Sequence, residues 1–131
     1  MKFQSILILI TLLGFASCSQ PGKVEHIDVQ AAVKLIDTEK DLQVVDLRTP
    51  GEVNATGTLP RAQPINFVAP DFMAKVAGLD KNKPVLLYCA TGSRSAQASA
   101  MLEKEGFKTI YDLAPGISGW LRANQKTVTH N

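Results

Sequence analysis

The stretch KPVLLYCATGSRSAQASAMLEKEG, residues 83–106, carries the argument for the fold. KPVLLYC (83–89) is a continuous apolar run with no polar alternation, the pattern of a central parallel strand covered on both faces. The small residues Ala90, Thr91 and Gly92 follow as a tight loop. SRSAQASAMLEKEG then reads as a helix that begins near Ser93 and ends at Gly106. Its alanines at 96 and 100 are expected to let it lie close to the sheet. Cys89 therefore stands at the carboxyl end of the most hydrophobic strand, where open α/β sheets place their ligands.

The same alternation continues on either side. VEHI (24–27) reads as a first short strand. DVQAAVKLIDTEK has Asp28 as an N-cap and apolar Val29, Ala32, Val33 and Ile36 at amphipathic-helix spacing. LQVVDLR (42–48) is a second buried strand. TPGEVNATGTLPRAQ is rich in turn formers and predicts a loop with one helical turn near Glu52. PINF (64–67) is a short strand, and APDFMAKVAGL a helix starting after Pro70 and stopping at Gly78. FKTIYDL (107–113) is a further strand, and PGISGWLRANQ a turn and short helix carrying Trp120. Strands alternating with helices predict an α/β domain with a mainly parallel sheet.

The chain has 131 residues, the size of one domain, with 45% apolar and 20% charged residues and a formal charge of +2. No basic stripe suggests a nucleic-acid surface. The N-terminus reads as a separate object. MKFQSILILITLLGFASC has Lys2, an apolar stretch from Phe3 to Phe15, then small residues, the layout of a secretory signal. The stretch falls short of the roughly 20 apolar residues that span a membrane. FASC resembles the lipobox of bacterial lipoproteins, with Phe15 in place of the usual leucine. That resemblance implies cleavage after residue 17, lipidation of Cys18, a tether over 18–23 and an exported, membrane-tethered domain in the bacterial periplasm or cell envelope. A lipidated Cys18 is unavailable for a disulfide, which leaves Cys89 as a free thiol.

The loop after Cys89 is suited to holding an anion. The first N–H groups of a helix lack intrahelical partners, and successive N–H groups in a tight loop form an anion-binding nest. The helix dipole and Arg94 add positive charge. These effects favour thiolate over thiol, so the Cys89 pKa is expected to be depressed. Gly92 permits a curled backbone, and Ser93 or Ser95 is placed to donate a hydroxyl to the sulfur. The only histidines are His26 and His130, neither near the loop in sequence. A cysteine–histidine pair and a metal site are thus not expected, nor is a cofactor.

CATGSRS resembles the active-site loop of the rhodanese family of sulfurtransferases, a Cys and an Arg separated by four residues. VVDLRTPGEV resembles the family's earlier Asp-x-Arg-x-x-x-Glu segment, which places Asp46, Arg48 and Glu52 at the matching positions. LEKEGFKTIYDLAPGISGW resembles its closing segment. The likeness covers residues 24–123, leaving 124–131 as a tail. The chain departs from the family pattern at Gly57-Thr58-Leu59, where Gly-His-Ile is common, and at Pro115-Gly116, where Gly-Gly is usual. Ala90 and Thr91 stand where thiosulfate-tuned members often carry cations, which leaves the donor open.

The resemblance implies a three-layer rhodanese-like domain, its central sheet flanked by helices. It also implies a sulfurtransferase that takes a sulfane sulfur from thiosulfate or a small persulfide onto Cys89 and passes it to cyanide or a thiol. Residues Ala90, Thr91, Gly92, Ser93, Arg94 and Ser95 would bind the persulfide, with Arg94 on the loop or the anionic donor. Asp46 and Arg48 read as a structural pair bracing neighbouring loops, with Glu52 as the partner of Arg48. Two alternatives stand beside this: a membrane-tethered carrier that hands sulfur to a protein partner, and a cysteine-dependent phosphatase. Phosphatase loops of this general kind are one residue longer between Cys and Arg, which disfavours the latter.

Overall fold

The computed structural model describes residues 20–129. The expected signal, Cys18 with its expected lipidation, and His130 lie outside the described residues. In chain order the elements are β1 (Lys23–Ile27), α1 (Val29–Thr38), β2 (Gln43–Asp46), α2 (Pro50–Thr56), β3 (Ala62–Pro64), α3 (Phe72–Val76), β4 (Val85–Tyr88), α4 (Ser93–Lys104), β5 (Thr109–Leu113) and α5 (Gly116–Arg122). The strands form a five-stranded sheet in the order β1-β5-β4-β2-β3. Every pairing within it is parallel. The fold is therefore the α/β class with a parallel central sheet.

β4 lies at the centre, and its residues alternate between two cores. Val85, Leu87 and Cys89 join Val45, Leu47, Phe72, Ala98, Leu102 and Ile110 on one face. Leu86 and Tyr88 join Ile27, Ala32, Ile36, Val44, Leu113, Ile117 and Trp120 on the other. Burial on both sides explains why the strand is apolar without alternation. Helix α1 starts where Asp28 accepts a hydrogen bond from the Ala31 N–H at 2.8 Å.

Three expectations are corrected. The segment after β2 holds more than one helical turn: α2 spans seven residues and opens on a capping box. Its Glu52 carboxylate accepts from the Thr49 N–H at 2.9 Å, and its own N–H reaches the Thr49 hydroxyl. Pro50 at the first helical position is compatible with this start because its missing N–H would have been unpaired there. The third strand covers 62–64, not 64–67: the Ile65 N–H still donates to the Asp46 carbonyl, but the Phe67 N–H reaches Leu47, one residue out of the β2–β3 register, and the regular ladder ends. In α4, Ala96 and Ala100 face solvent, and the buried face is Ser95, Ala98, Ser99 and Leu102. Those positions follow the 3, 1, 3 spacing of a helical stripe pressed on a sheet.

Ala98→Leu should therefore destabilise the fold by about 1–3 kcal/mol through overpacking. Ala96→Leu and Ala100→Leu should stay within about 0.5 kcal/mol of the parent. Urea unfolding of the three variants checks the assignment of the buried face.

Candidate active site

Cys89 follows β4 directly, and its side chain is buried at 1% exposure. The chain curls at Gly92, which has φ +102° and forms the N-cap of α4. A Cβ at this position would collide with the carbonyl oxygen of Ala114, so only glycine fits both the turn and the approach. The curl brings the Gly92 N–H to 3.2 Å from the Cys89 sulfur. The Ser95 hydroxyl lies 3.8 Å from the same sulfur, and it donates to the Gly92 carbonyl at 3.2 Å.

The carbonyls of the loop are drawn the other way. The start of α5 supplies the Ile117 N–H to the Cys89 carbonyl at 2.9 Å and the Ser118 N–H to the Ala90 carbonyl at 3.1 Å. This close docking requires Gly116, at φ +59°, whose Cβ would meet both carbonyls. With carbonyls turned to α5, the loop presents N–H groups to the sulfur. Burial pushes the thiol pKa up, but the N–H groups of Ser95, Gly92 and Thr91 and the Ser95 hydroxyl outweigh it. The Cys89 thiol consequently sits below its ordinary pKa. Ser93 is exposed, and its carbonyl accepts from the Gln97 side chain.

Glu52 is not the side-chain partner of Arg48. Its carboxylate takes a bidentate pair from Arg94, with Nη1 to Oε2 at 2.8 Å and Nη2 to Oε1 at 2.7 Å. The fork of Arg94, with further hydrogen bonds from Thr49, overcomes the upward push of burial and holds Glu52 at about 2, against an ordinary 4.5. Arg94 thus docks the sulfur loop onto α2, 42 residues away in sequence.

Arg48 is instead buried in its own network. Its Nε and Nη2 donate to the Asp46 carboxylate at 3.0 and 2.7 Å, Nη2 to the Gly57 carbonyl at 2.7 Å, and Nη1 to the Thr56 hydroxyl at 2.8 Å. With Asp46 at 0% and Arg48 at 2% exposure, neither charge reaches solvent. The network extends to a residue that the sequence reading passed over. The Tyr88 hydroxyl donates to Asp46 at 2.6 Å and accepts from the Leu59 N–H at 3.0 Å. Burial, then the Asp46 charge and hydrogen bond, push the Tyr88 phenol strongly up, so it remains a donor. The signal for it lay in the apolar run itself: a tyrosine in a buried strand needs a partner for its hydroxyl. Asp46 pairs with Tyr88 in register across the β2–β4 ladder.

Tyr88→Phe removes a donor from a buried carboxylate and should cost about 2 kcal/mol in urea unfolding. Because Tyr88 precedes Cys89 directly, the variant should also slow alkylation of Cys89 by iodoacetamide at neutral pH. Wild-type stability in the variant would mean that Arg48 alone satisfies Asp46.

A family model described as the rhodanese-like domain matches residues 28–123. The chain is 35% identical over 102 residues to a protein named sulfurtransferase from Allochromatium vinosum, covering 76% of this chain and 90% of that one. It is 38% identical over 120 residues to a tRNA uridine(34) hydroxylase from Pelagibacter ubique, covering 87% of this chain but only 38% of the hydroxylase. Among solved structures, the polysulfide-sulfur transferase homodimer from Wolinella succinogenes superposes with a TM-score of 0.70 at 28% identity, over 82% of this chain and 80% of that one. The matched span runs from the N-cap of α1 to the end of α5 and takes in the whole curled loop with its docking helices. The chain belongs to the rhodanese-like domain family.

Proposed function

We propose that the protein is a sulfurtransferase working through a Cys89 persulfide. The observation that carries this reading is the buried sulfur facing backbone N–H groups in a loop whose carbonyls are turned away. The Cys89 thiolate attacks the sulfane sulfur of thiosulfate or of a small persulfide. A sulfur–sulfur bond to Sγ forms, the donor's own bond to that sulfur breaks, and sulfite or a thiolate leaves with the bonding pair. Cyanide or a thiol then takes the outer sulfur and regenerates the thiolate. The N–H groups of Thr91, Gly92 and Ser95 hold the negative charge in both states.

Neither leaving group needs a proton. The carboxylate closest to the loop's arginine, Glu52, is held ionised by Arg94 and is no proton donor near neutral pH. Cleaving a phosphate ester calls for an acid on the departing oxygen, so this arrangement favours sulfur over phosphate chemistry. The names of the relatives, a sulfurtransferase and a polysulfide-sulfur transferase, support the same reading. The N-terminal segment completes the proposal. Cleavage before Cys18 and lipidation there would tether the domain at the membrane in the periplasm or cell envelope.

Wild-type protein incubated with thiosulfate or a small persulfide should gain one sulfur atom by intact mass and release thiocyanate on addition of cyanide. Cys89→Ser should fold normally and do neither. Because the backbone N–H groups lower the thiol pKa, the pH midpoint for alkylation should lie below that of the same cysteine in the unfolded chain. Cys89-dependent hydrolysis of an aryl phosphate without persulfide formation would overturn the reading. A stable persulfide that cyanide discharges only slowly would assign the protein to sulfur delivery onto a partner protein.

The tether is tested separately. The full chain expressed in a bacterial host should take up labelled fatty acid and sediment with membranes, and Cys18→Ala should lose both properties. A wild-type chain that takes up no label and stays in the supernatant would overturn it.

A further inference from the structure

The arginine at the sulfur loop is already occupied. Arg94 is the loop's only cationic side chain, and each of its terminal nitrogens donates to the Glu52 carboxylate, which balances its charge. Over the carboxyl ends of the neighbouring strands run residues 46–52, 65–71 and 114–118, and the only cation among them is Arg48. Arg48 is buried and neutralised by Asp46. Each guanidinium in this region is matched by a carboxylate; Arg94 also interacts with Cys89, so beside the backbone N–H groups the sulfur meets only a cation whose charge Glu52 already balances. The N–H groups suit one anionic sulfur. They offer nothing to a second and third charge carried on the body of a donor. The segment leaving β3 adds Phe67, half-buried, and Val68, 65% exposed, so the same edge of the sheet carries apolar surface.

We infer that Glu52 is a specificity-determining residue that sets the charge of the donor: by neutralising Arg94 it matches the site to persulfides with an uncharged body and disfavours dianions such as thiosulfate. The inference rests on the sulfur-transfer reading above and narrows its donor class. In the favoured step the Cys89 thiolate attacks the outer sulfur of R–S–SH. The bond from Sγ to that sulfur forms, the donor's S–S bond breaks, and R–S⁻ leaves with the electron pair. The proton stays on the transferred sulfur, the negative charge that was on Sγ departs on R–S⁻, and no oxidant or reductant is consumed.

Glu52→Gln tests this directly, because glutamine keeps an oxygen to accept from the Thr49 N–H and α2 retains its cap. Persulfide loading of Cys89 is followed by intact mass under single-turnover conditions with thiosulfate and with 2-hydroxyethyl persulfide. E52Q should load from thiosulfate about tenfold faster than wild type, while loading from the neutral persulfide changes by less than about twofold. Added salt should slow thiosulfate loading in E52Q, whose Arg94 charge is released, and leave the wild-type rate flat or raised. Equal factors for the two donors would overturn the inference and make Glu52 a positioning residue only. A wild-type thiosulfate rate that falls steeply with salt would overturn it as well, and this measurement decides alone where E52Q does not fold. Absence of loading of wild type from either donor would overturn the sulfur-transfer reading itself, an outcome distinct from loading that ignores charge.

Discussion

The structure depends on the direction in which a few peptide units point. A sulfur buried at 1% exposure is held as an anion only where N–H groups converge on it and carbonyls do not. Gly92 supplies the left-handed turn that brings its N–H to the sulfur, and the start of α5 takes the Cys89 and Ala90 carbonyls. The two devices are coupled through close backbone contact. Gly92 packs on the Ala114 carbonyl, and Gly116 packs on the carbonyls of Cys89 and Ala90. The β4–α4 loop and the β5–α5 loop thus form one unit, and the anion site belongs to neither alone. Side chains at either glycine would separate them.

Around that unit the two arginines divide the work. Arg48 is internal and ties the end of β2 to the last turn of α2 and to Gly57, while Tyr88 ties the same Asp46 to the strand that leads into Cys89. Arg94 is more accessible and ties the sulfur loop to the start of α2 through Glu52. A buried charge left without its partner costs several kcal/mol, which fixes the Asp46–Arg48 geometry firmly. The Glu52–Arg94 pair is partly exposed and screened, so it contributes less to stability. α2 stands between the two pairs, and its capping box orients Glu52 for the second.

Much of the site was legible in local pattern. The unbroken apolar run of β4 marked a central strand, since each of its residues is buried on one face or the other. Asp28 marked the start of α1, and Gly106, at φ +89°, lies just beyond the end of α4. These signals work because capping, turn chemistry and side-chain period act over a few residues. The errors also have local causes. Glu52 was expected to pair with the nearby Arg48, yet Arg48 precedes α2 and bends back onto Asp46, and Glu52 takes Arg94 from a segment distant in sequence. Ala96 and Ala100 share a face, but the neighbouring stripe of Ser95, Ala98, Ser99 and Leu102 was the one with the larger apolar residue to bury.

Taken alone, then, the residues determine the class of fold, the order of its elements and the place of Cys89 at a strand end before a helix, because those follow from burial period and helix-end chemistry within short windows. They do not determine which carboxylate meets which arginine, that Tyr88 reaches Asp46, or that α5 takes the carbonyls of the sulfur loop. Each of those joins groups brought together only when the parallel strands are laid in the order β1-β5-β4-β2-β3. Parallel neighbours are linked by crossovers, so their contacts are distant in sequence, and the pairing is selected by the packing of the whole sheet, not by any spacing along the chain.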